Sequence, residues 1–390
     1  MDLEEIKNLS SEYLFQNYGR MDIAFTHGKG AYLYGTDGKE YLDLVAGIAV
    51  NSIGYAHPEW VGMMREQISR FAHVSNLYYV SEQAELAERL ASVTPGDLKR
   101  SLFVNSGAEA NEGAMKLAVR YTKRSKIMSA RNGFHGRTSA SLGATGQTKY
   151  QETFEPLISG AYRYYDLGDL ESVKETIGRD TAALLIEPIQ GEGGVIEAGK
   201  DFLKGVRDLC TDNGVLMVAD EVQTGIGRTG RWFGVDNHDV IPDIMTMAKG
   251  LGGGVPIGAV VTTDELSKVM TPGTHGTTFG GGPLVCRSAC GVLDIIKKED
   301  LVENARTVGN EWIKELKAIG SDKIKDVRGS GFIIGVELES RETALDIQRR
   351  MVGNGMLVNI CHGNVMRLIP PLILSSEQKD AFMSVFRKVI

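Results

Sequence analysis

From residue 101 onward, short apolar runs alternate with helical stretches, and that rhythm restricts the chain to few folds. Ser101–Val104, Lys126–Ser129, Ala182–Glu187, Val215–Asp220, Asp243–Ala248 and Ile257–Thr262 are bounded by Gly, Pro and charged residues, as buried strands are. Helical stretches lie between most of them, over 108–122, 168–178 and 200–213. Alternation of this kind predicts an α/β fold with a large, doubly wound, mostly parallel sheet.

A chain of 390 residues with 42% hydrophobic content has room for more than one domain. The expected division is an N-terminal segment over 1–50 that joins the small domain, a large ligand-binding domain over 51–290, and a smaller α+β domain over 291–390. Within the first segment, residues 1–20 read as a polar amphipathic helix. Gly30–Tyr34 and Glu40–Leu44, joined by Gly35-Thr36-Asp37-Gly38, read as a hairpin. Residues 58–72 and 81–92 read as helices, and the stretch from Pro283 towards 319 as one long helical run. The tail combines strands at Gly331–Leu338 and Val365–Leu368 with helices at 341–353 and 375–388.

The charge balance excludes some partners. A net charge of −7 leaves no basic excess for nucleic acid or an anionic membrane. An anionic ligand must therefore be met by a few placed Arg and Lys residues or by helix N-termini. Cys210, Cys286, Cys290 and Cys361 show no CxxC spacing. Cys286 and Cys290 supply half a metal site at most and read better as small buried residues on a helix, so no metal is expected. No basic-then-apolar leader is visible and no apolar run is long enough to span a bilayer, which makes a reducing cytoplasm the expected compartment.

Chemistry-bearing residues gather where the predicted strands end. One apolar run stops at Asp220-Glu221 and another at Lys249-Gly250. Open α/β sheets bind ligands outside the carboxyl ends of their strands, so this acid and this amine would share one crevice. Pyridoxal 5'-phosphate needs such a pair: a lysine to carry it as a Schiff base and a carboxylate to keep its pyridine nitrogen protonated. Other strand ends could serve the same ligand. Asn105-Ser106-Gly107-Ala108-Glu109 turns from a strand into a helix, either as a phosphate cradle or as an ordinary N-cap by Ser106. Phe134-His135-Gly136-Arg137 offers a ring to stack and a guanidinium to clasp a carboxylate. Glu187-Pro188-Ile189-Gln190-Gly191-Glu192 brings two carboxylates to a Gly-rich loop. Thr277 and Thr278 precede a helix that has Pro283 in its first turn.

Two motifs mislead. Gly225-Ile226-Gly227-Arg228-Thr229-Gly230 matches a dinucleotide fingerprint, but the following Arg231-Trp232-Phe233-Gly234 opens no helix. Gly194 to Lys200 imitates a P-loop, with Asp201 where a magnesium-binding hydroxyl is required. Dehydrogenase and NTPase readings fall on these points.

Taken together, Asp37–Asp43, Ala46–Asn51, His73–Tyr79, Asn105–Asn111, Phe134–Arg137, Glu187–Gly193, Asp220–Gly225 and Ala248–Gly250 resemble, in this order, the class III aminotransferases. The resemblance covers essentially the whole chain. It implies a fold-type I homodimer with active sites at the subunit interface, and a transaminase that uses pyridoxal 5'-phosphate. Carried over by motif, Lys249 would hold the cofactor and Asp220 its pyridine nitrogen. Ser106, Gly107 and Ala108 would cradle the phosphate with Thr278 from the neighbouring subunit, Phe134 would stack on the ring, and Gln223 would lie near the phenolic oxygen. Arg137 would hold the distal carboxylate of either substrate with Thr277 nearby. Arg367 would hold the near carboxylate of glutamate, and Glu192 would neutralise Arg367 when a terminal-amine donor is bound. Gly282 and Thr277 depart from the Asn and Ser common in relatives, beside the expected phosphate contact.

The Ser75-Asn76-Leu77-Tyr78-Tyr79 segment and the compact length favour the branch that moves the terminal amine of N2-acetyl-L-ornithine to 2-oxoglutarate, in arginine biosynthesis. Donors left open are ornithine, succinylornithine, 4-aminobutyrate and a carrier-linked lysine. A non-catalytic binding protein on the same scaffold is the alternative of a different class, and the presence of Lys249 and Asp220 argues against it.

Overall fold

The computed structural model describes residues 1–390. Its centre is a seven-stranded sheet of β1 (Arg100–Val104), β2 (Lys126–Ala130), β3 (Tyr162–Tyr165), β4 (Thr181–Ile186), β5 (Leu216–Asp220), β6 (Ile244–Met247) and β7 (Gly258–Thr262), in the order β1-β7-β6-β5-β4-β2-β3. Neighbours run parallel except at β7, which is antiparallel to both β6 and β1. The carboxyl ends of β1, β2, β4, β5 and β6 therefore open on one edge, together with the start of β7.

The apolar runs read as strands because both of their faces are covered. In β4 every residue is buried. Ala183 and Leu185 pack with Ala110, Ala114, Leu117 and Ala118 of the helix Gly107–Thr122, whereas Leu184 and Ile186 pack with Phe202, Leu203 and Val206 of the helix Lys200–Asn213. This period-two division is what a two-sided strand needs, and it fixes the register, since a one-residue slip would exchange the faces.

Three further sheets flank this one. Phe25–Lys29, Tyr32–Gly35 and Glu40–Asp43 form an antiparallel set, the last two being the expected hairpin. Met356–Leu357 adds to it in parallel, with Met356 opposite Leu42, so distant parts of the chain share one sheet. A second set, in the order Ile324–Ser330, Ile333–Leu338, Val365–Leu368, Asn359–Cys361, places Arg367 on an inner strand. The third is the short pair Ile189–Gln190 and Ile196–Glu197.

Several elements differ from expectation. The first helix covers only Leu3–Tyr13 and buries no residue, and its cap Leu14 is already extended, so nothing packs against the chain to carry the helix to 20. The long run after Pro283 is two helices, Pro283–Lys298 and Leu301–Lys317, broken where Asp300 takes φ +51°. No Gly or Pro marks that break, so periodicity alone reads through it. The first of these helices runs unbroken through residues 290 and 291, where the expected domain division would fall. Strands at Phe25–Lys29, Tyr162–Tyr165 and Ile324–Ser330 are missing from the sequence reading because they carry exposed or polar residues without clean alternation.

Residues 225–230 form turns and open no helix, and Lys200 pairs with Asp239 at the surface. Cys286 and Cys290 are buried and free, and no group of side chains has the arrangement of a metal site. No helix is long and apolar enough to cross a membrane.

Candidate active site

The strand ends enclose a cavity of about 330 Å³. It is lined by Ser106, Gly107 and Ala108 beyond β1, Phe134 and His135 beyond β2, Glu187 and Glu192 beyond β4, Asp220, Val222 and Gln223 at the end of β5, and Lys249 just past β6. Residues far apart in sequence converge here because parallel strands all end on one edge.

Asp220 is the most tightly held of them. Its Oδ2 accepts from Asn111 Nδ2 at 2.7 Å and lies 2.7 Å from His135 Nδ1, while its Oδ1 accepts from the Val222 N–H at 3.0 Å. Asn111 is fixed in turn by Thr246, whose hydroxyl donates to Asn111 Oδ1 at 2.7 Å, and by the His135 carbonyl. All four side chains are buried. Burial alone would push the His135 imidazolium down. The hydrogen bond and charge of Asp220, with the charge of Glu187, outweigh it and raise the pKa above the usual histidine value.

Lys249 differs: its ammonium has no hydrogen-bond or ion-pair partner, and its backbone holds φ +42°. A non-glycine residue in that region costs about 1–2 kcal/mol, a strain that concentrates at functional positions. Burial pushes its pKa below the ordinary lysine value, opposed by Glu192 and assisted by Arg367. A half-buried amine without a partner, shifted towards its neutral form, suits a nucleophile and a base.

Opposite it begins the helix Gly107–Thr122. Ser106 Oγ accepts from the Glu109 N–H at 3.2 Å, so Ser106 is an N-cap. Ser106 also takes the Ala110 N–H on its carbonyl, leaving the N–H groups of Gly107 and Ala108 without a place in the helix ladder. Gly107 is glycine because of packing: a Cβ there would fall 2.7 Å from Val222 Cγ1. The cap and the cradle, alternatives in the sequence, coexist.

At the other end, Arg367 is buried and donates through Nη1 to Glu192 Oε1 at 2.6 Å and to Gln223 Oε1 at 3.1 Å. Burial would raise the Glu192 carboxyl, but the charge and hydrogen bond of Arg367 win and hold it below the usual range. The cluster is tight enough that a Cβ on Gly191 would fall 1.8 Å from Gln223 Oε1.

Ser106, Gly107, Ala108, Phe134, Glu192, Asp220, Gln223 and Lys249 thus line one cavity, and Arg367 joins it through Glu192 and Gln223. Thr277 reaches it indirectly, accepting from Asn105 Nδ2 at 2.9 Å. Two expected residues lie outside this chain's cavity. Arg137 is exposed, with its guanidinium 3.9 Å from the centre of the Tyr150 ring, and Thr278 is exposed on the segment before Pro283. Sequence reasoning gave no role to Asn111, His135, Glu187 or Val222. For Asn111 a signal existed: a lone amide on the small-residue face of a helix that must be buried.

A phosphorylated pyridine aldehyde fits this donor set: an unpaired amine, a fixed carboxylate, two free N–H groups at a helix start, and Phe134 and Val222 for its ring. Known proteins agree with the geometry. The family pattern of Aminotransferase class-III matches residues 13–390. Over its whole length the chain is 44% identical to the acetylornithine aminotransferase of Methanothermobacter thermautotrophicus, covering 99% of that protein. It is 45% identical to the acetylornithine aminotransferase of Aquifex aeolicus, with 97% of this chain and 100% of that protein covered. Among solved structures, the ornithine aminotransferase of Toxoplasma gondii superimposes with a TM-score of 0.95 at 31% identity, covering 99% of this chain and 93% of its own, and PLP was found at its active site. The acetylornithine aminotransferase of Elizabethkingia anophelis gives 0.90 at 32% identity, covering 100% and 99%. The chain belongs to the class III aminotransferases, enzymes that depend on pyridoxal 5'-phosphate.

Proposed function

We propose that the protein transfers the terminal amino group of N2-acetyl-L-ornithine to 2-oxoglutarate, giving N-acetylglutamate 5-semialdehyde and glutamate. The observation that carries this reading is the pairing of buried Arg367 with half-buried Glu192 beside an unpartnered Lys249. A terminal-amine donor has no carboxylate at its reacting carbon, whereas glutamate has one. Arg367 faces both in turn, and a bare buried guanidinium would cost several kcal/mol. Glu192 neutralises it for the first substrate and yields it to the second. The names of relatives 40–45% identical over nearly the whole chain support acetylornithine over the other donors.

Pyridoxal phosphate, when bound, supplies an electron sink for the charge left as a proton departs the donor carbon. Asp220 would hold a proton on the pyridine nitrogen through its negative charge. Asn111 and His135 aim that carboxylate. Lys249 Nζ would hold the cofactor, and it is placed to move the proton as general base, a task that its depressed pKa suits. The N–H groups of Gly107 and Ala108 would take the phosphate, and Phe134 and Val222 would confine the ring.

The exposed Leu77, Tyr78, Tyr79 and Phe279 favour a homodimer, since soluble monomers rarely carry such clustered apolar surface. In that dimer Thr278 would complete the partner's phosphate site, and Arg137, with Thr277 nearby, would bind the distal carboxylate. A monomeric mass by light scattering would contradict this arrangement. Four unpaired cysteines favour a reducing, cytoplasmic setting.

Donors assayed side by side with 2-oxoglutarate test the substrate. N2-acetylornithine should give the highest kcat/KM, ahead of ornithine, N2-succinylornithine, 4-aminobutyrate and a carrier-linked lysine, and a higher value for any of these overturns the choice. In Glu192→Ala, the half-reaction with the terminal-amine donor should fall roughly 30-fold or more relative to that with glutamate. An unchanged ratio would refute the gate.

A further inference from the structure

Glu187 is a buried carboxyl that the proposed reaction does not use. Its Oε1 accepts from the Phe134 N–H at 2.8 Å, so it grips the backbone where Gly133 joins the predicted ring plate, one residue before His135. His135 Nδ1 is engaged with Asp220, while Nε2 is buried with no partner in the protein. A Cβ on Gly133 would stand 3.3 Å from His135 Nε2 and 3.5 Å from Glu187 Oε1, so both atoms face the same small space over that glycine. One carboxylate, Asp220, is thus bonded to Nδ1, and a second, Glu187, borders the space that Nε2 faces. We propose that Glu187 is a positioning residue, the second carboxylate of a buried Asp220–His135–Glu187 array, which holds His135 as a charged donor to Asp220 and fixes Phe134 over the cavity.

The electrostatics agree. Burial raises the Glu187 carboxyl to about 7, with Asp220 adding to the rise, and His135, the Phe134 N–H and Lys249 opposing it. The same Glu187 charge is one of the influences that lift His135. These are the charged groups that face the pair. With a proton on both ring nitrogens, His135 would meet Asp220 as a full donor rather than a neutral ring and keep its charge directed into the cavity. The array concerns the protein alone, so it can be tested apart from the choice of substrate.

The test is a titration of His135 by imidazole NMR in the full-length protein, with pyridoxal phosphate bound and after its removal, in parent and Glu187→Gln. Glutamine keeps an oxygen for the Phe134 N–H and removes only the charge. The His135 midpoint should move down by about one pH unit, and Glu187→Asp should restore much of it. A midpoint unchanged in Glu187→Gln overturns the proposal. If that variant does not fold, labelled glutamate in the parent decides. A Glu187 carboxyl whose signal shifts again as His135 loses its proton supports the array, whereas a Glu187 signal that does not respond to the His135 titration refutes it.

Discussion

Turnover in Lys249→Ala is expected to fall by about 10⁴-fold or more, the loss of a nucleophile and general base together. The stability of the cofactor-free protein should move the other way or not at all. The ammonium of Lys249 has no partner, so even its partial burial costs free energy that alanine does not. Thermal melts of the cofactor-free parent and variant check this. A large destabilisation would mean that Lys249 holds the fold together, which the absence of any ion pair contradicts.

Asp220→Ala should cost both activity and stability. Turnover should drop roughly 10²–10³-fold, as when a fixed electrostatic stabiliser is removed. The variant also strands Asn111, the Val222 N–H and His135 in a buried place, and breaking such a pair from one side costs about 3–5 kcal/mol. The loss depends on pH with a definite sign. His135 has a folded pKa raised above 6.5, so its contribution is complete below the unfolded value and is lost as pH rises through the folded one. The stability gap between parent and Asp220→Ala should therefore be widest on the acid side and narrow in alkali. Denaturant titrations across that range measure it, and a gap that grows with pH would contradict the assignment of the pair.

Much of this site is legible from residue order because it is built at strand ends. Apolar runs announce β5 and β6, and the next residue that cannot be buried alone, Asp220 or Lys249, marks where each strand opens on the ligand edge. What supports those residues is harder to read. Asn111 sits in the middle of a helix, and Glu187 looks like one more charge at a loop until the fold buries it. Both act through neighbours 109 and 53 positions away, at Asp220 and Phe134, and no local pattern encodes such pairs. The break at Asp300 has the same character, since tertiary packing places a left-handed residue where nothing in the composition asks for one. Arg137 and Thr278 lie outside the cavity that the strand ends enclose, and residue order alone did not show that.

The central claim is that Lys249 is the covalent anchor of the cofactor. Borohydride reduction of the protein with pyridoxal phosphate, followed by proteolysis and mass mapping, tests it most directly. The pyridoxyl label should be fixed on the peptide that carries Lys249 and be absent from Lys249→Ala. A label on any other lysine, or retained in that variant, would contradict the account.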